Sequence, residues 1–311
     1  MSPAAPSADP AAGPADGPSD GDRPDVPAVP ASSLMLVRPE QDGDTSVFAL
    51  RRAGSMAFSA HATAFPGGRV DPADDLPDAL WEGTDLAAWG RRLGLPHEPV
   101  DALGTLAALD PAEGAGRVLA AAVRETFEET GVLLARDAAT GAPVDPDRVA
   151  ALPEDLRDAV ERHEVDFGDL LRDEGLRPDA GALVPWSRWI TPHGGPRRYD
   201  TFFFAVHLPA GQSPERMSSE AAEHGWASPA ELLRRFRDGE VNLMAPTWWQ
   251  LRTLDDAGED VHAGRSRFEP LEGVMLVAGQ GPAFSHADEY LRDLAAFRAA
   301  AHVEESQDNI L

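Results

Sequence analysis

The residues best suited to chemistry in this sequence form a short charged run, Arg-Glu-Thr-Phe-Glu-Glu-Thr-Gly-Val, at positions 124–132. On a helix, residues three and four apart share a face, which places Glu125 beside Glu128 and Glu129. Carboxylates gathered on about one turn repel one another and raise one another's pKa values. A hard divalent cation with oxygen ligands removes that penalty, and Mg²⁺ or Mn²⁺ fits the donor set best. Arg124 can hold one carboxylate in place through a bidentate pair.

A glutamate-rich helix end is also typical of a solvated face. The upstream loop decides between a metal site and a solvated face. Residues 65–71 read Phe-Pro-Gly-Gly-Arg-Val-Asp. Together the loop and the helix resemble the Nudix box, G-x5-E-x7-REUXEExGU, in which U is a bulky apolar residue. Gly68 matches the first position, Asp74 stands where the family has glutamate, and Thr126 stands at a U position. The remaining signature positions of 124–132 match.

The spacing between the two halves of the box points to one branch of the family. About forty extra residues separate Asp74 from Arg124. In this the chain resembles the peroxisomal coenzyme A diphosphatases and their long-insert bacterial relatives. The resemblance continues in the Trp-Ser-Arg-Trp-Ile-Thr-Pro run at 186–192, the Arg-Arg-Tyr-Asp-Thr-Phe-Phe run at 197–203, and Glu220 ahead of Trp226.

The resemblance implies roles for the motif residues. Glu125, Glu128 and Glu129 would bind the metal ions, together with a backbone carbonyl of the glycine loop at Gly67 and Gly68. The bound metal would neutralise the diphosphate and lower the pKa of a bound water for attack at phosphorus. Arg124 and Asp74 complete the box, and Arg124 is counted among the catalytic residues.

Several residues outside the box are also candidates. Glu220 is the predicted general base, with Glu223 as its competitor and an exposed acidic loop as the alternative. Arg197 and Arg198 are predicted to contact substrate phosphate, although ion pairs with nearby carboxylates are the competing interpretation. His61 and His193 are given no role. Four tryptophans are predicted to be core residues rather than base-stacking platforms: Trp186, Trp189, Trp248 and Trp249.

The predicted function is hydrolysis of coenzyme A or an acyl-CoA at its diphosphate. Coenzyme A-directed members often carry an Arg and a Gly upstream of the glycine loop, where this chain has Ala57 and His61. The same machinery would serve ADP-ribose, NADH or a nucleotide sugar, which is the alternative substrate class. A Nudix-fold binding module without turnover is the alternative from another class, and the intact glutamate set argues against it.

The hydrophobic pattern supplies the elements that must position these residues. Residues 34–37 and 46–50 predict a β-hairpin, residues 56–65 a further extended stretch, and Pro66-Gly-Gly a stop. Apolar residues at three- and four-residue spacing predict a helix over 114–134, ended by Gly131, with 132–134 entering a strand. Two acidic helices are expected within 152–176, and strands over 182–190, over 199–208 (a central strand buried on both faces) and over 273–278. Helices are predicted from Ser228, from Ala245 and over 288–301.

The expected fold is α/β, a Nudix-type α/β/α sandwich with a mixed sheet, an insertion within the box and a C-terminal extension. Residues 1–31, rich in Pro, Ala and Gly, are predicted to form a disordered tail. Residues 32–256 are predicted to form the Nudix hydrolase domain, with the insert at about 75–115 decorating it. Residues 257–311 are predicted to form an extension packed on the same domain.

Composition narrows the class of partner. The net charge of −26 repels phosphate backbones, so nucleic-acid binding is not expected. Every one of the 27 basic residues is Arg, and there is no Cys for disulfides or thiolate sites. No apolar run reaches membrane-spanning length and no secretory signal is evident, so a cytoplasmic protein with a small nucleotide-diphosphate substrate is expected. A homodimer is left open.

Overall fold

The computed structural model describes residues 26–40, 44–52, 62–95, 106, 108–153, 155–191, 197–214, 221–257 and 284–301. Within these residues, the main sheet runs in the order β10, β3, β2, β1, β8 and β7, while β4 pairs with β1 and β9 pairs with β2. Its strands are β1 (Val29–Pro39), β2 (Thr45–Arg52), β3 (Ala62–Ala64), β4 (Gly67–Arg69), β7 (Val184–Ile190), β8 (Tyr199–His207), β9 (Ala221–Ala227) and β10 (Asn242–Leu243). A separate two-stranded sheet pairs β5 (Ala135–Asp137) with β6 (Leu176–Pro178).

The helices lie on both faces of the main sheet. They are α1 (Leu86–Arg92), α2 (Pro111–Thr130), α3 (Pro146–Ala150), α4 (Leu156–Glu161), α5 (Phe167–Asp173), α6 (Pro229–Arg237), α7 (Ala245–Ala257) and α8 (Ala287–Ala300). Short 3-10 turns lie at Pro72–Asp74, Asp78–Trp81 and Ala180–Ala182. In the described residues no helix is long and apolar enough to span a bilayer.

Strand alternation divides the core into two layers. In β1, Leu34 and Leu36 pack into the core that contains α2, whereas Met35 and Val37 pack into the core that contains α6 and α7. Successive side chains of a strand point to opposite faces, so one strand serves both layers. The predicted α/β/α sandwich with a mixed sheet is therefore confirmed.

Most of the predicted strands form, with instructive shifts. The β1–β2 hairpin is present, and β8 lies between β1 and β7 with both faces covered. β1 begins at Val29, three residues before the predicted start of order at Ser32, because it pairs in parallel with β8 from Val29 onward. The expected strand at 273–278 and part of the extended stretch at 56–65 lie outside the described residues.

The glycine loop is wrongly predicted as a stop in regular structure. Gly67–Arg69 forms β4, antiparallel to residues 31–33 of β1. Residues 132–134 lead into a strand as predicted, but they are not part of it, since β5 begins at Ala135 and joins the small sheet. The residues between α2 and β5 instead lie buried beneath the α2 layer.

The insert contributes to the core rather than decorating it. Trp81 is 5% exposed and Leu93 is fully buried, and both pack in the core under α2. Trp89 of α1 meets Phe204 of β8 edge to face, with ring centroids 6.5 Å apart. Gly90 lies so close to Pro111 that a Cβ there would come within 2.6 Å of its carbonyl oxygen. The segment between the two halves of the box therefore forms part of the main hydrophobic core.

Helix α8 packs on α6 and α7. The ring of Tyr290 stacks on Phe236 of α6, and the Nε1 of Trp248 in α7 donates to Asp293 at 3.0 Å. Residues 284–301 therefore pack on the same body as the sheet. The division of the chain at 31 and 256 stays a prediction.

Candidate active site

Helix α2 carries the charged run in its last two turns. It begins after Asp110, whose side chain accepts from the backbone N–H of Ala112 at 2.9 Å, with Pro111 in the first helical position. It ends at Gly131, which takes the left-handed conformation at φ +76° that a side chain disfavours. The termination sets Glu128 and Glu129 at the end of the helix, facing β4.

Arg124 is the centre of the site's hydrogen bonds. Its Nε donates to Asp74 Oδ1 at 2.7 Å and its Nη2 to Asp74 Oδ2 at 3.0 Å, with a further bond from Nη2 to the carbonyl of Arg69 at 3.1 Å. Asp74 is 1% exposed and also accepts from the backbone N–H of Asp71. The bidentate partner of Arg124 is thus Asp74, and not one of the α2 glutamates as expected. The reason is that the 3-10 turn at Pro72–Asp74 fixes both oxygens of Asp74 toward the guanidinium.

The three predicted metal ligands surround the remaining donor of Arg124 and the glycine strand. Nη1 of Arg124 donates to Glu125 Oε1 at 3.0 Å and to both oxygens of Glu128 at 3.1 Å. Glu129 turns the other way and accepts from the backbone N–H of Gly67 at 2.9 Å. Glu125 and Glu128 thus share Arg124 as a partner and Glu129 does not, so the common role of the three as metal ligands stays a prediction.

Gly67 of β4 is required by its close approach to backbone, and Gly68 lies against the carboxylate of Glu125. A Cβ on Gly68 would lie 2.4 Å from the carboxyl carbon of Glu125. A Cβ on Gly67 would lie 2.3 Å from the carbonyl oxygen of Ser32 and 2.6 Å from the Cα of Ser33, which are backbone atoms that cannot move aside. The glycine pair therefore lets the strand approach both β1 and the carboxylates of α2.

The electrostatics of the site are those of excess negative charge. Burial raises the pKa of Glu125 to about 7, with Arg124 opposing the rise and Glu128 adding to it. Burial likewise raises the pKa of Glu128 and of Asp74, and in both cases Arg124 opposes it. One guanidinium faces three carboxylates, and Glu129 adds a fourth close by, so the donor set is that of a hard divalent cation.

The carboxylates do not yet converge on one point. Over the part of the chain that the structure describes, no three His, Asp or Glu side chains stand close enough together to hold a metal ion. Glu125 and Glu128 are turned to Arg124, while Glu129 is turned to Gly67. The residues fit a divalent cation in type and in placement on the helix.

The arginines predicted to bind phosphate differ in environment. Arg198 is 2% exposed, and its guanidinium donates to the carbonyls of Thr191 at 3.0 Å and Val26 at 2.9 Å. Burial and these bonds argue against direct substrate contact by Arg198, whose role here is to fasten the start of β1 to β8. Arg197 is exposed, and its role stays a prediction.

Of the two candidate general bases, one lies outside the described residues and one lies just inside them. Glu220 lies outside the described residues, as do His61 and His193. Glu223 lies in β9, where its backbone pairs with Arg51 of β2. The choice between Glu220 and Glu223 stays a prediction.

The four tryptophans predicted as core residues are buried, which confirms that interpretation. They are Trp186, Trp189, Trp248 and Trp249. Trp186 donates to Thr253 at 3.0 Å, which ties β7 to α7. None of the four is available to stack on a base.

One residue beside the site was missed by sequence reasoning. His163 follows α4 in a turn with φ +55°, and its imidazole, when protonated, joins Arg124 in opposing the burial that raises the pKa of Glu128. Sequence spacing gives no signal for it, because the packing of α4 on the end of α2 brings it there.

A mixed sheet between helical layers, with a glycine strand set against a helix bearing Arg124 and three glutamates, defines a Nudix hydrolase fold. The crystal structure of a NUDIX hydrolase from Alicyclobacillus acidocaldarius resembles it with a TM-score of 0.56 at 26% identity, covering 78% of this chain and 98% of that one. The family model of the NUDT19 Nudix domain matches residues 26–254, and the chain belongs to that family.

Two curated relatives of the chain are named as acyl-coenzyme A diphosphatases. The acyl-coenzyme A diphosphatase NUDT19 of Gallus gallus is 34% identical over 239 residues, covering 68% of this chain and 61% of the relative. The protein of the same name from Homo sapiens is 33% identical over 232 residues, covering 66% and 59%. The chain thus spans about three fifths of the length of these relatives. The predicted resemblance to the coenzyme A diphosphatase branch is confirmed, while homodimerisation and a cytoplasmic location stay predictions.

Proposed function

We propose that this protein is a divalent-metal-dependent diphosphatase that hydrolyses coenzyme A or an acyl-CoA. The products are 3′-phosphoadenosine 5′-phosphate and a 4′-phosphopantetheine. The observation that carries the proposal is the buried Asp74–Arg124 pair, which holds Glu125 and Glu128 beside the glycine strand, whose Gly67 N–H holds Glu129. The names of the relatives supply the substrate class.

Glu125, Glu128 and Glu129 would hold the cation, with a backbone carbonyl of Gly67 or Gly68. Nudix hydrolases generally use divalent metals, and Mg²⁺ or Mn²⁺ suits these oxygen donors. When bound, the metal supplies charge neutralisation of the diphosphate and a bound water of lowered pKa.

The protein's own groups would then position the reaction. Arg124 fixes the orientation of Glu125 and Glu128 through Nη1, and Asp74 fixes Arg124. Glu220 would accept the proton of the attacking water. At the same time the water oxygen bonds to phosphorus and the bridging P–O bond breaks. Arg197 would contact a substrate phosphate through its planar donors. Positioning and electrostatics supply most of the acceleration in such transfers.

The test is a product analysis with a charge-matched control. The protein is incubated with coenzyme A, acetyl-CoA, ADP-ribose and NADH in Mg²⁺, Mn²⁺ or EDTA, and products are resolved by chromatography. Glu128→Gln removes a predicted ligand. Glu113→Gln removes the same charge from the first turn of the same helix, where Glu113 pairs with Arg117.

Cleavage of the coenzyme A compounds that needs metal, survives Glu113→Gln and falls by about 100-fold or more in Glu128→Gln is the expected result. Cleavage of ADP-ribose or NADH instead would keep the mechanism and reject the substrate. No turnover of any compound with either metal would reject the enzyme in favour of a binding module.

A further inference from the structure

An aromatic row lies on the edge of the main sheet, on the face that carries α2. We define it as Phe48 of β2 with His224 and Trp226 of β9. The ring of Phe48 lies 5.4 Å from that of Trp226, edge to face, and 6.0 Å from that of His224. Phe48 is buried, Trp226 is half-buried and His224 is exposed. The row thus presents ring surface to solvent from a fixed base.

Arg38 extends the row at the Trp226 end. Its guanidinium carbon lies 4.3 Å from the centre of the Trp226 ring, and its Nε donates to Glu40 at 2.9 Å. The ion pair with Glu40 fixes the guanidinium plane over the indole. The arrangement combines flat apolar faces, a cation and a carboxylate at one place on the surface.

Strand register relates the row to the glycine strand of the candidate active site. His224 pairs with Leu50 of β2, and Leu50 pairs on its other edge with Ala64 of β3. Two strand spacings put His224 about 10 Å from Ala64. The chain continues from Ala64 to Gly67, whose N–H donates to Glu129.

The row also lies on the correct face of the sheet. Phe48 and Leu50 belong to the core beneath α2, and Trp226 packs against that core. His224 precedes Trp226 by two residues in the same strand, so both side chains point to the α2 face. A molecule bound at the glutamates of α2 can therefore extend along the row without crossing the sheet.

We propose that the aromatic row is the subsite for the nucleobase of the substrate. This proposal rests on the proposed function, in which the scissile diphosphate is joined through a ribose to an adenine. A nucleobase has a π-face for the ring of His224 and for the part of Trp226 that Arg38 does not cover, and polar edges for Arg38 and Glu40. The buried tryptophans of the opposite core offer neither exposure nor proximity to the carboxylates.

The experiment measures binding of a pair of probes that differ only in the base. Adenosine 5′-monophosphate and ribose 5-phosphate are titrated by calorimetry into the full chain, wild type and two variants, Trp226→Leu and His224→Ala. His224 is exposed, so its replacement leaves the core intact. Trp89→Leu is the matched control, because Trp89 is also half-buried on the α2 core and also lies under an arginine, Arg92, at 5.0 Å.

The wild type is expected to bind adenosine 5′-monophosphate at least tenfold more tightly than ribose 5-phosphate. Trp226→Leu should weaken the nucleotide by roughly tenfold and His224→Ala by roughly threefold, with ribose 5-phosphate unchanged. Trp89→Leu should bind both probes as the wild type does. For the cleaved substrate, Trp226→Leu should raise KM by a similar factor and leave kcat within about twofold.

Equal affinity of the wild type for the two probes would overturn the proposal. So would unchanged nucleotide affinity in folded Trp226→Leu and His224→Ala. Base-dependent binding without hydrolysis of any diphosphate would reject the proposed function and leave the subsite standing. Hydrolysis of the coenzyme A compounds with an unchanged KM in both variants would keep the proposed function and reject the subsite.

Discussion

Arg124 shows how one residue organises the charge of the whole site. Its three nitrogens address Asp74, Glu125 and Glu128, and a side chain with a single donor centre could not do this. Asp74 is one methylene shorter than the glutamate of the family pattern. It still reaches Arg124 with both oxygens, because it is the last residue of a 3-10 turn whose cap, Asp71, also binds it.

We expect Asp74→Asn to lower the free energy of unfolding by about 3 kcal/mol. The variant replaces one carboxylate oxygen by an amide NH2, so one buried donor of Arg124 loses its acceptor and faces another donor. The adjacent Asp75→Asn is the control, because Asp75 pairs with Arg117 at 3.1 Å with 54% of its side chain exposed. That change should cost less than about 1 kcal/mol.

Urea unfolding of the two variants checks the comparison. Similar midpoints for Asp74→Asn and Asp75→Asn would show that the buried pair contributes no more than a surface pair. The interpretation of Arg124 as the organiser of the site would then fail.

At the scale of elements, the hydrophobic pattern predicts those helices and strands whose structure depends on residues close together in the chain. Helix α2 was predicted because apolar residues recur along it, and Gly131 marked its end. Strand β4 was missed because two glycines carry no periodicity, and its existence depends on pairing with residues 31–33, far away in the chain. The same limit applies to the aromatic row, since exposure of Trp226 and burial of Trp186 follow from layer position and not from residue type.

Candidate site residues also divide into those placed by local spacing and those placed by long-range contacts. The helical spacing of the glutamates could be derived from the sequence, whereas the partnership of Asp74 with Arg124 spans 50 residues and was not predicted. Arg198 was predicted by type as a phosphate ligand, but its neighbours in the fold are backbone carbonyls. Long-range contacts of this kind have no periodic signature in a single sequence.

Helix α8 carries a tyrosine, Tyr290, whose ionisation can be followed without overlap from Cys or Lys side chains. With no Cys and no Lys, the side chains that titrate between about pH 9 and pH 12 are the two tyrosines. Burial against α6 and α7 raises the pKa of Tyr290 from the ordinary 10.0 to about 12. The unfolded chain therefore loses this proton first, and the stability it contributes is present below pH 10 and lost as pH rises to about 12.

We expect the free energy of unfolding to fall by about 2 to 3 kcal/mol across that window. Tyr290→Phe should abolish the fall, and Tyr199→Phe should preserve it. The measurement is the urea midpoint at several pH values from about 9 to about 12. A fall of equal size in Tyr290→Phe would show that α8 does not bury an ionisable phenol against the body of the protein.

The whole molecule combines a net charge of −26 with a site where four carboxylates stand beside a single guanidinium, which contacts three of them. The first is a diffuse repulsion that any salt screens. The second is a local repulsion within a buried cluster, which a bound divalent cation relieves far more than a screening salt does. Adding Mg²⁺ or Mn²⁺ acts on both, so the two contributions must be separated by design.

Thermal unfolding in MgCl₂ or MnCl₂, compared with NaCl of equal ionic strength, makes the separation. We expect the divalent ion to raise the Tm by roughly 5 °C beyond NaCl once it exceeds its Kd by about 100-fold. Glu128→Gln and Glu113→Gln have the same net charge, so both should respond alike to NaCl. Only Glu128→Gln should lose the additional response to the divalent ion, because Glu128 belongs to the α2 cluster and Glu113 to a separate, partly exposed pair with Arg117. An additional response that survives in Glu128→Gln would place the stabilising cation elsewhere on this acidic surface.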